Sequence, residues 1–305
     1  MVSRFALIVP TLNGGPVYRK LLEEFRRQTC LPDCFIVVDS GSSDGTLEAS
    51  RDAGARVISI RPEDFNHGAT RMQALDHVDA GIDLVMYLTQ DAVPADPESF
   101  ERLVAVFADP RLGAAFGRQL PRDGASRVEA FSRAANYGEV PYRVDLAAPG
   151  KRRFEESRFS NSFSMYRIAA LREAGGFPGD IILGEDVLAH VAILSRGWAT
   201  EYVPAATVRH SHNYSVVEEF RRYFDIGVMH HRAQATLAMF GRPHGKGRQY
   251  LLEEARFAMR ISLREGFVSV VRSCAKFFGY RLGLMEAALP RFLKRQLSMH
   301  WRFWR

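Results

Sequence analysis

The chain is predicted to be an α/β protein with an open, mainly parallel sheet, on three observations. Short, β-branched apolar runs recur in its first third, turn residues close each of them, and segments of helical spacing lie between. Phe5 to Val9 (FALIV) and Cys34 to Asp39 (CFIVVD) read as buried strands, because a strand covered on both faces shows no polar alternation. Pro16 to Gln28, between them, has a helical pattern. Arg56 to Ile60 and Leu84 to Leu88 repeat the strand theme, with Gly68 to Val78 as the intervening helix and Asp96 to Phe107 as the next. From Gly113 to about Ser215 the pattern loosens into short strands, a stretch rich in Pro and Gly, and the charged segment Lys151 to Arg158. This part reads as the acceptor-side half of the same domain. After Val216 the chain turns helical, and Tyr250 to Arg264 and Phe267 to Gln296 place Leu, Phe, Val and Met near helical spacing with Arg and Lys on other faces. In such a sheet, ligands collect at the carboxyl ends of the strands.

With 305 residues, 47% of them hydrophobic and 25% charged, the chain is long and apolar enough for one large domain or two unequal ones. No apolar run approaches the roughly 18 to 20 residues of a spanning helix, and MVSRFALIVPTLNGG enters turn chemistry at once, so neither an integral membrane nor a secreted protein is expected. Cys30, Cys34 and Cys274 form no C-x-x-C pair, which argues against a disulfide scaffold or structural zinc and for a reducing cytoplasm. The net charge of +6 is uneven. Residues 241–305 hold 14 Lys and Arg against 4 Asp and Glu, so a basic tail follows a neutral-to-acidic body and calls for an anionic partner.

Five segments carry candidate chemistry. Pro10-Thr11-Leu12-Asn13-Gly14-Gly15 follows the first strand and opens a helix, where backbone can approach a ligand closely; a plain tight turn is the alternative. Asp39 to Thr46 supplies two carboxylates, three serines and two glycines after the second strand. Asp39, at the very end of that strand, is placed to accept from a base N–H or a ribose hydroxyl, whereas Asp44 reads equally as a ligand or as a cap of the following helix. Asp91, in Thr89-Gln90-Asp91-Ala92, ends a buried run; a hard cation on a diphosphate needs only one or two such carboxylates. Glu185 and Asp186 open an apolar helical stretch and read either as first-turn acids or as catalytic groups. His210 and His212, two apart on an extended segment, face one side and point to a metal for at least one of them.

This ordered set resembles the family 2 inverting glycosyltransferases of the GT-A fold, from VPTLNGG through VVDSGSSDGT, QDA, GGF and GED to HSH, about the first 215 to 225 residues. FNHGATRMQAL, TQDA and RHSHNYS resemble its bacterial rhamnosyltransferase-like branch. The resemblance implies a Rossmann-like open mixed sheet flanked by helices, a catalytic domain at 1–215 and a helical extension at 216–305. It implies that Pro10, Thr11, Asn13, Asp39, Ser42 and Asp44 hold the nucleotide, and that Asn66, His67, Gly68 and Arg71 grip the nucleotide-sugar, with Gln90, Asn161 and Arg222 also on the donor or sugar pocket. The family's D-x-D becomes Thr89-Gln90-Asp91 here, which leaves Asp91, with His210 or His212, for Mg²⁺ or Mn²⁺ and puts metal dependence in question. Asp186 matches the general base, and Glu185 would orient the acceptor or Asp186. Inversion requires such a base, since the acceptor hydroxyl loses its proton on the face opposite the leaving diphosphate. Arg71, and Arg221 or Arg222, would steady the departing charge.

The implied reaction moves L-rhamnose from dTDP-β-L-rhamnose to a saccharide or polyprenyl-linked glycan in cell-surface polysaccharide synthesis. The alternatives are a UDP- or GDP-sugar donor, or a catalytically silent nucleotide-sugar-binding scaffold. In the tail, cations alternate with Phe277, Phe278, Tyr280, Phe292, Trp301, Phe303 and Trp304, the composition of a helix on an anionic membrane surface. Packing on the catalytic domain or in a homo-oligomer competes with that reading for Phe267 to Phe278. For the final MHWRFWR the surface reading is preferred. Single-stranded nucleic acid is the weaker candidate partner. A cytoplasmic enzyme, peripheral on the inner face of the bacterial plasma membrane, is the expectation.

Overall fold

The computed structural model describes residues 4–150, 152–241 and 246–304. β1 (Phe5–Thr11), α1 (Gly15–Arg26), β2 (Cys34–Asp39), α2 (Thr46–Asp52), β3 (Arg56–Ser59), α3 (His67–Leu75) and β4 (Leu84–Leu88) wind the first half of the sheet. β1, β2 and β4 have nearly every side chain buried, as uninterrupted apolar runs require when helices cover both faces. After β5 (Val93–Pro94) and α4 (Ser99–Ala105) come β6 (Leu112–Leu120), α5 (Arg127–Asn136), β7 (Tyr142–Val144), β8 (Phe163–Arg167), α6 (Ile168–Glu173), α7 (Glu185–Ser195) and β9 (Ala199–Arg209).

Among the described residues the nine strands form one sheet in the order β3-β2-β1-β4-β8-β6-β9-β5, with β7 on β9. β1 to β4 are parallel, β8 runs antiparallel between β4 and β6, and β6 pairs β9 in parallel. The reversal sets the start of β8 beside the end of β4, Phe163 opposite Leu88. The middle of the chain is thus more regular than its sequence suggests. β6 and β9 are nine and eleven residues long, and β9 hides its strand character behind Pro204 and a partly polar face.

The C-terminal part is α8 (Val216–Arg232), α9 (Gln234–Leu237), α10 (Lys246–Ile261), α11 (Leu263–Leu284) and α12 (Arg291–Leu297). The single helix expected over Phe267 to Gln296 is two, because Pro290 cannot continue a helix and stands as the N-cap of α12. α8 and α11 touch along glycines. A side chain at Gly227, Gly279 or Gly283 would collide with backbone of the opposite helix. A third core cluster joins Ile182, Leu183, Val191 and Leu194 to Phe224, Val228, Phe240 and Trp304, so the helical part and α7 share buried apolar surface. The preference for a surface position of MHWRFWR holds at Trp301 and Arg302, which are exposed, and is corrected at Trp304, which is buried; the backbone N–H groups of Met299 and His300 donate to Asp225 of α8 at 3.0 and 3.1 Å, and Arg305 lies outside the described residues. The aromatics with competing readings fall the other way, Phe267, Phe277 and Phe278 being exposed on α11. No described helix is long and apolar enough to cross a membrane.

Candidate active site

The carboxyl ends of β1, β2 and β4 converge on a cavity of 270 Å³ lined by Pro10, Thr11, Leu12, Ser40, Pro62, Phe65, His67, Arg71, Thr89, Gln90, Asp91 and Arg302. Six residues expected to touch the donor or metal line it: Pro10, Thr11, His67, Arg71, Gln90 and Asp91. The others build its walls. Asp39 is 1% exposed, and its carboxylate accepts from the Thr11 and Ser42 hydroxyls and from the backbone N–H of Gly41 and Ser42. Asn13 receives and returns bonds across the two loops, its N–H donating to Ser42 Oγ and its Oδ1 accepting from Ser43 N–H. Asp44 accepts from Gly15 N–H at 2.8 Å and from Thr46, which holds its carboxyl below the ordinary range through the Thr46 hydroxyl first. Gln90 clamps the first loop by accepting from Leu12 N–H at 2.8 Å and donating to Leu12 carbonyl at 3.1 Å.

The expected sugar-gripping cluster is corrected in two members. Asn66 is the N-cap of α3, accepting from Gly68 and Ala69 N–H and donating to the Gly179 carbonyl. Gly68 is required for packing, since a Cβ there would strike the Pro178 carbonyl. Both serve to present His67, whose ring stands edge-on to Phe65 and to His300. Arg222 does not line this cavity; it lines a neighbouring one between α5, α8 and α11 whose wall includes His212.

Arg71 is buried and donates to Glu185 at 2.9 Å and to the His67 carbonyl at 2.8 Å, while its Nε meets no acceptor among the described residues. Glu185 is therefore engaged inside the protein, which speaks against the acceptor and leaves the other expectation, that it acts on Asp186. Burial alone would raise its pKa, but the charge of Arg71 and then His67 hold it below the usual carboxylate range. Its neighbour Asp186 has the opposite balance. Gly184 takes φ 85°, turning the chain into α7 so that the two acids diverge. Asp186 is partly exposed and accepts from Asn161 N–H at 3.0 Å and from Val187 N–H. Burial in low dielectric, and then the charge of Glu185, push it up to about 7. Asn161 is corrected from pocket lining to support. It is 2% exposed, its Nδ2 faces Glu185, and its Oδ1 accepts from Ser164 and Tyr166 hydroxyls.

Asp91, His210 and His212 come together as the sequence spacing suggested, and both histidines join. Each offers one ligand atom, and these all lie within 4.8 Å of one another. Asp91 Oδ1 is 3.4 Å from His210 Nε2, and Asp91 Oδ2 is 3.7 Å from His212 Nδ1. His210 Nδ1 meets Gln119 Oε1 at 2.9 Å, which fixes the ring with Nε2 toward the acid, the outer-shell arrangement of a metal-binding histidine. Burial and then His210 lower His212 to about 4, so it is the neutral imidazole a metal needs. The donor set fits a divalent cation, since small side-chain shifts bring these atoms to the ~3 Å spacing of octahedral ligands. Of the remaining lining residues, Pro62 and Phe65 flank the His67 motif, but Arg302, more than 200 positions along the chain, carried no local signal.

A sheet of this order with nucleotide-side loops, an acidic helix start and an Asp-His-His cluster defines a nucleotide-sugar transferase of the GT-A type. Residues 6–175 match Glycosyl transferase family 2, and the chain belongs to that family and is a glycosyltransferase. It is 36% identical over 303 residues to the O-antigen chain rhamnosyltransferase RfbN of Salmonella typhimurium, covering 99% of this chain and 96% of that protein. It is 34% identical over 304 residues to the O-antigen chain rhamnosyltransferase WbaN of Salmonella anatum, covering 98% and 95%. Among solved structures, the mannosyltransferase PcManGT from Pyrobaculum calidifontis, in complex with GDP-Man and Mn²⁺, superposes with a TM-score of 0.59 at 19% identity, covering 100% of this chain and 85% of that one. At that identity the match speaks for the fold, and it bears out the GT-A arrangement.

Proposed function

We propose that the chain transfers L-rhamnose from dTDP-β-L-rhamnose, with inversion, to a saccharide or polyprenyl-linked glycan during bacterial cell-surface polysaccharide synthesis. The full-length similarity to two O-antigen chain rhamnosyltransferases supports the donor and the pathway class. The observation that carries the mechanism is the asymmetric acid pair, one carboxylate neutralised by Arg71 and the other raised to about 7 at a partly exposed helix start. A base near the working pH combines the right protonation state with driving force for proton transfer. In the proposed step, Asp186 takes the acceptor hydroxyl proton as its oxygen bonds to the anomeric carbon, and the bond from that carbon to the diphosphate breaks on the opposite face. Asp91, His210 and His212 would hold Mg²⁺ or Mn²⁺, which supplies positive charge to the diphosphate. The exposed Phe267, Phe277, Phe278 and Phe292 among the cations of the tail support peripheral attachment to an anionic membrane, at the cytoplasmic face.

The test is nucleoside diphosphate release from dTDP-rhamnose, UDP-glucose, UDP-N-acetylglucosamine and GDP-mannose, with and without Mn²⁺, for the wild type and Asp186→Asn. Release confined to dTDP-rhamnose and lost in the variant is expected. Equal release by Asp186→Asn would remove Asp186 as base, and calorimetry showing no binding of any of these nucleotides would overturn the donor reading.

A further inference from the structure

The donor pocket takes one lining residue from far outside the family match. Arg302 lies on the 3₁₀ turn Trp301–Trp304 and borders both the 270 Å³ cavity and an adjoining one of 460 Å³, which share Pro62, Phe65 and His67. This turn is fixed at both ends. Before it, Asp225, fully buried in α8, accepts from Met299 and His300 N–H, and the His300 ring meets the His67 ring at 5.5 Å. After it, Trp304 is buried under the Arg232 and Lys294 cations at 5.3 and 5.1 Å from its ring.

Charge then singles Arg302 out. The pocket lining contains one acid, Asp91, and two cations, Arg71 and Arg302. Arg71 is balanced by Glu185, so the pair adds no net charge. Arg302 is exposed and forms no ion pair among the described residues, its guanidinium resting 5.3 Å from the Trp301 ring. A nucleoside diphosphate is multiply anionic, and a guanidinium fork matches two of its oxygens at once.

We propose that Arg302 is a donor-binding residue that contacts the diphosphate, delivered by a C-terminal turn anchored on Asp225, His67 and Trp304. The proposal rests on the reading of the 270 Å³ cavity as the donor pocket. It makes the end of the described chain part of the active site and gives the acidic latch at Asp225 a positioning role.

The experiment is calorimetric titration of the full chain with dTDP and with dTMP, in Mn²⁺ at fixed ionic strength, comparing wild type, Arg302→Ala, Arg302→Lys and Arg291→Ala. Loss of a charge-assisted contact should weaken dTDP about ten- to a hundred-fold in Arg302→Ala, with a smaller loss for dTMP, which lacks the second phosphate. Arg302→Lys should recover part of the loss, and Arg291→Ala, an exposed cation of the same tail, should bind as wild type. Because the Lys variant keeps charge and stem, it preserves the comparison if the Ala variant melts early. Equal affinity in wild type and Arg302→Ala overturns the proposal, and so does an equal loss in Arg291→Ala, which would mean diffuse attraction. If wild type binds dTDP and only Arg302→Ala fails to, the proposal stands. If wild type binds neither dTDP, UDP nor GDP, the donor-pocket reading fails first and takes the proposal with it.

Discussion

The end of β2 with the loop after it, and the start of α7, each hold two carboxylates at the same rim of the sheet, yet they hold them in opposite ways. Asp39 and Asp44 are supplied with hydroxyl and backbone donors, so their charge is absorbed in fixing loop geometry. Asp186 receives only two backbone donors, and burial first and then the charge of Glu185 push it up to about 7. Burial beside a second carboxylate, offset by few donors, and not the residue type, distinguishes the surroundings of Asp186 from those of the loop aspartates.

Four changes would break or sharpen that contrast. Asp186→Asn should lower kcat by about 10² to 10⁴-fold while dTDP binding persists, measured by product release and calorimetry. Arg71→Met should be the most damaging to the fold, costing about 3 to 5 kcal/mol in denaturant titration, because it leaves Glu185 buried without its partner. Glu185→Gln should shift the pH profile. In wild type the base must be ionised, so kcat/KM should fall as pH drops through about 7; removing the neighbouring charge lowers the Asp186 value and moves that acid limb to lower pH. A limb that stays in place would show that Glu185 does not govern Asp186. Asp44→Asn, at the other end of the scale, should lower the melting temperature slightly with turnover almost unchanged; a large loss of donor affinity instead would make Asp44 a ligand contact.

The strands at Phe5, Cys34 and Leu84 were legible because an unbroken apolar run has one comfortable fate in an α/β fold. The Asp91, His210 and His212 set was legible in part, since alternation along an extended segment puts both histidines on one side. What escaped sequence reading depends on partners distant in the chain. In the sequence only the resemblance separates Glu185 from Asp186, and the physical difference, that Arg71, 114 positions earlier, pairs with Glu185, needs the fold. Trp304 reads as an interfacial aromatic until the core around Phe224 and Val228 is assembled to receive it. β9 was obscured by Pro204, tolerated where the pairing with β6 shifts register between Gly117 and Arg118.

The reversed strand β8 has a consequence for how such an enzyme diverges. Parallel strands bring their exits to the rim, whereas a strand inserted backwards brings its entrance, so Asn161, which supports Asp186 at the start of α7, arrives on a segment independent of the loops after β1, β2 and β4. On the proposed reading, changes at that entrance would alter the support of Asp186 without retuning the loops after β1, β2 and β4, so the two halves of the site can diverge separately.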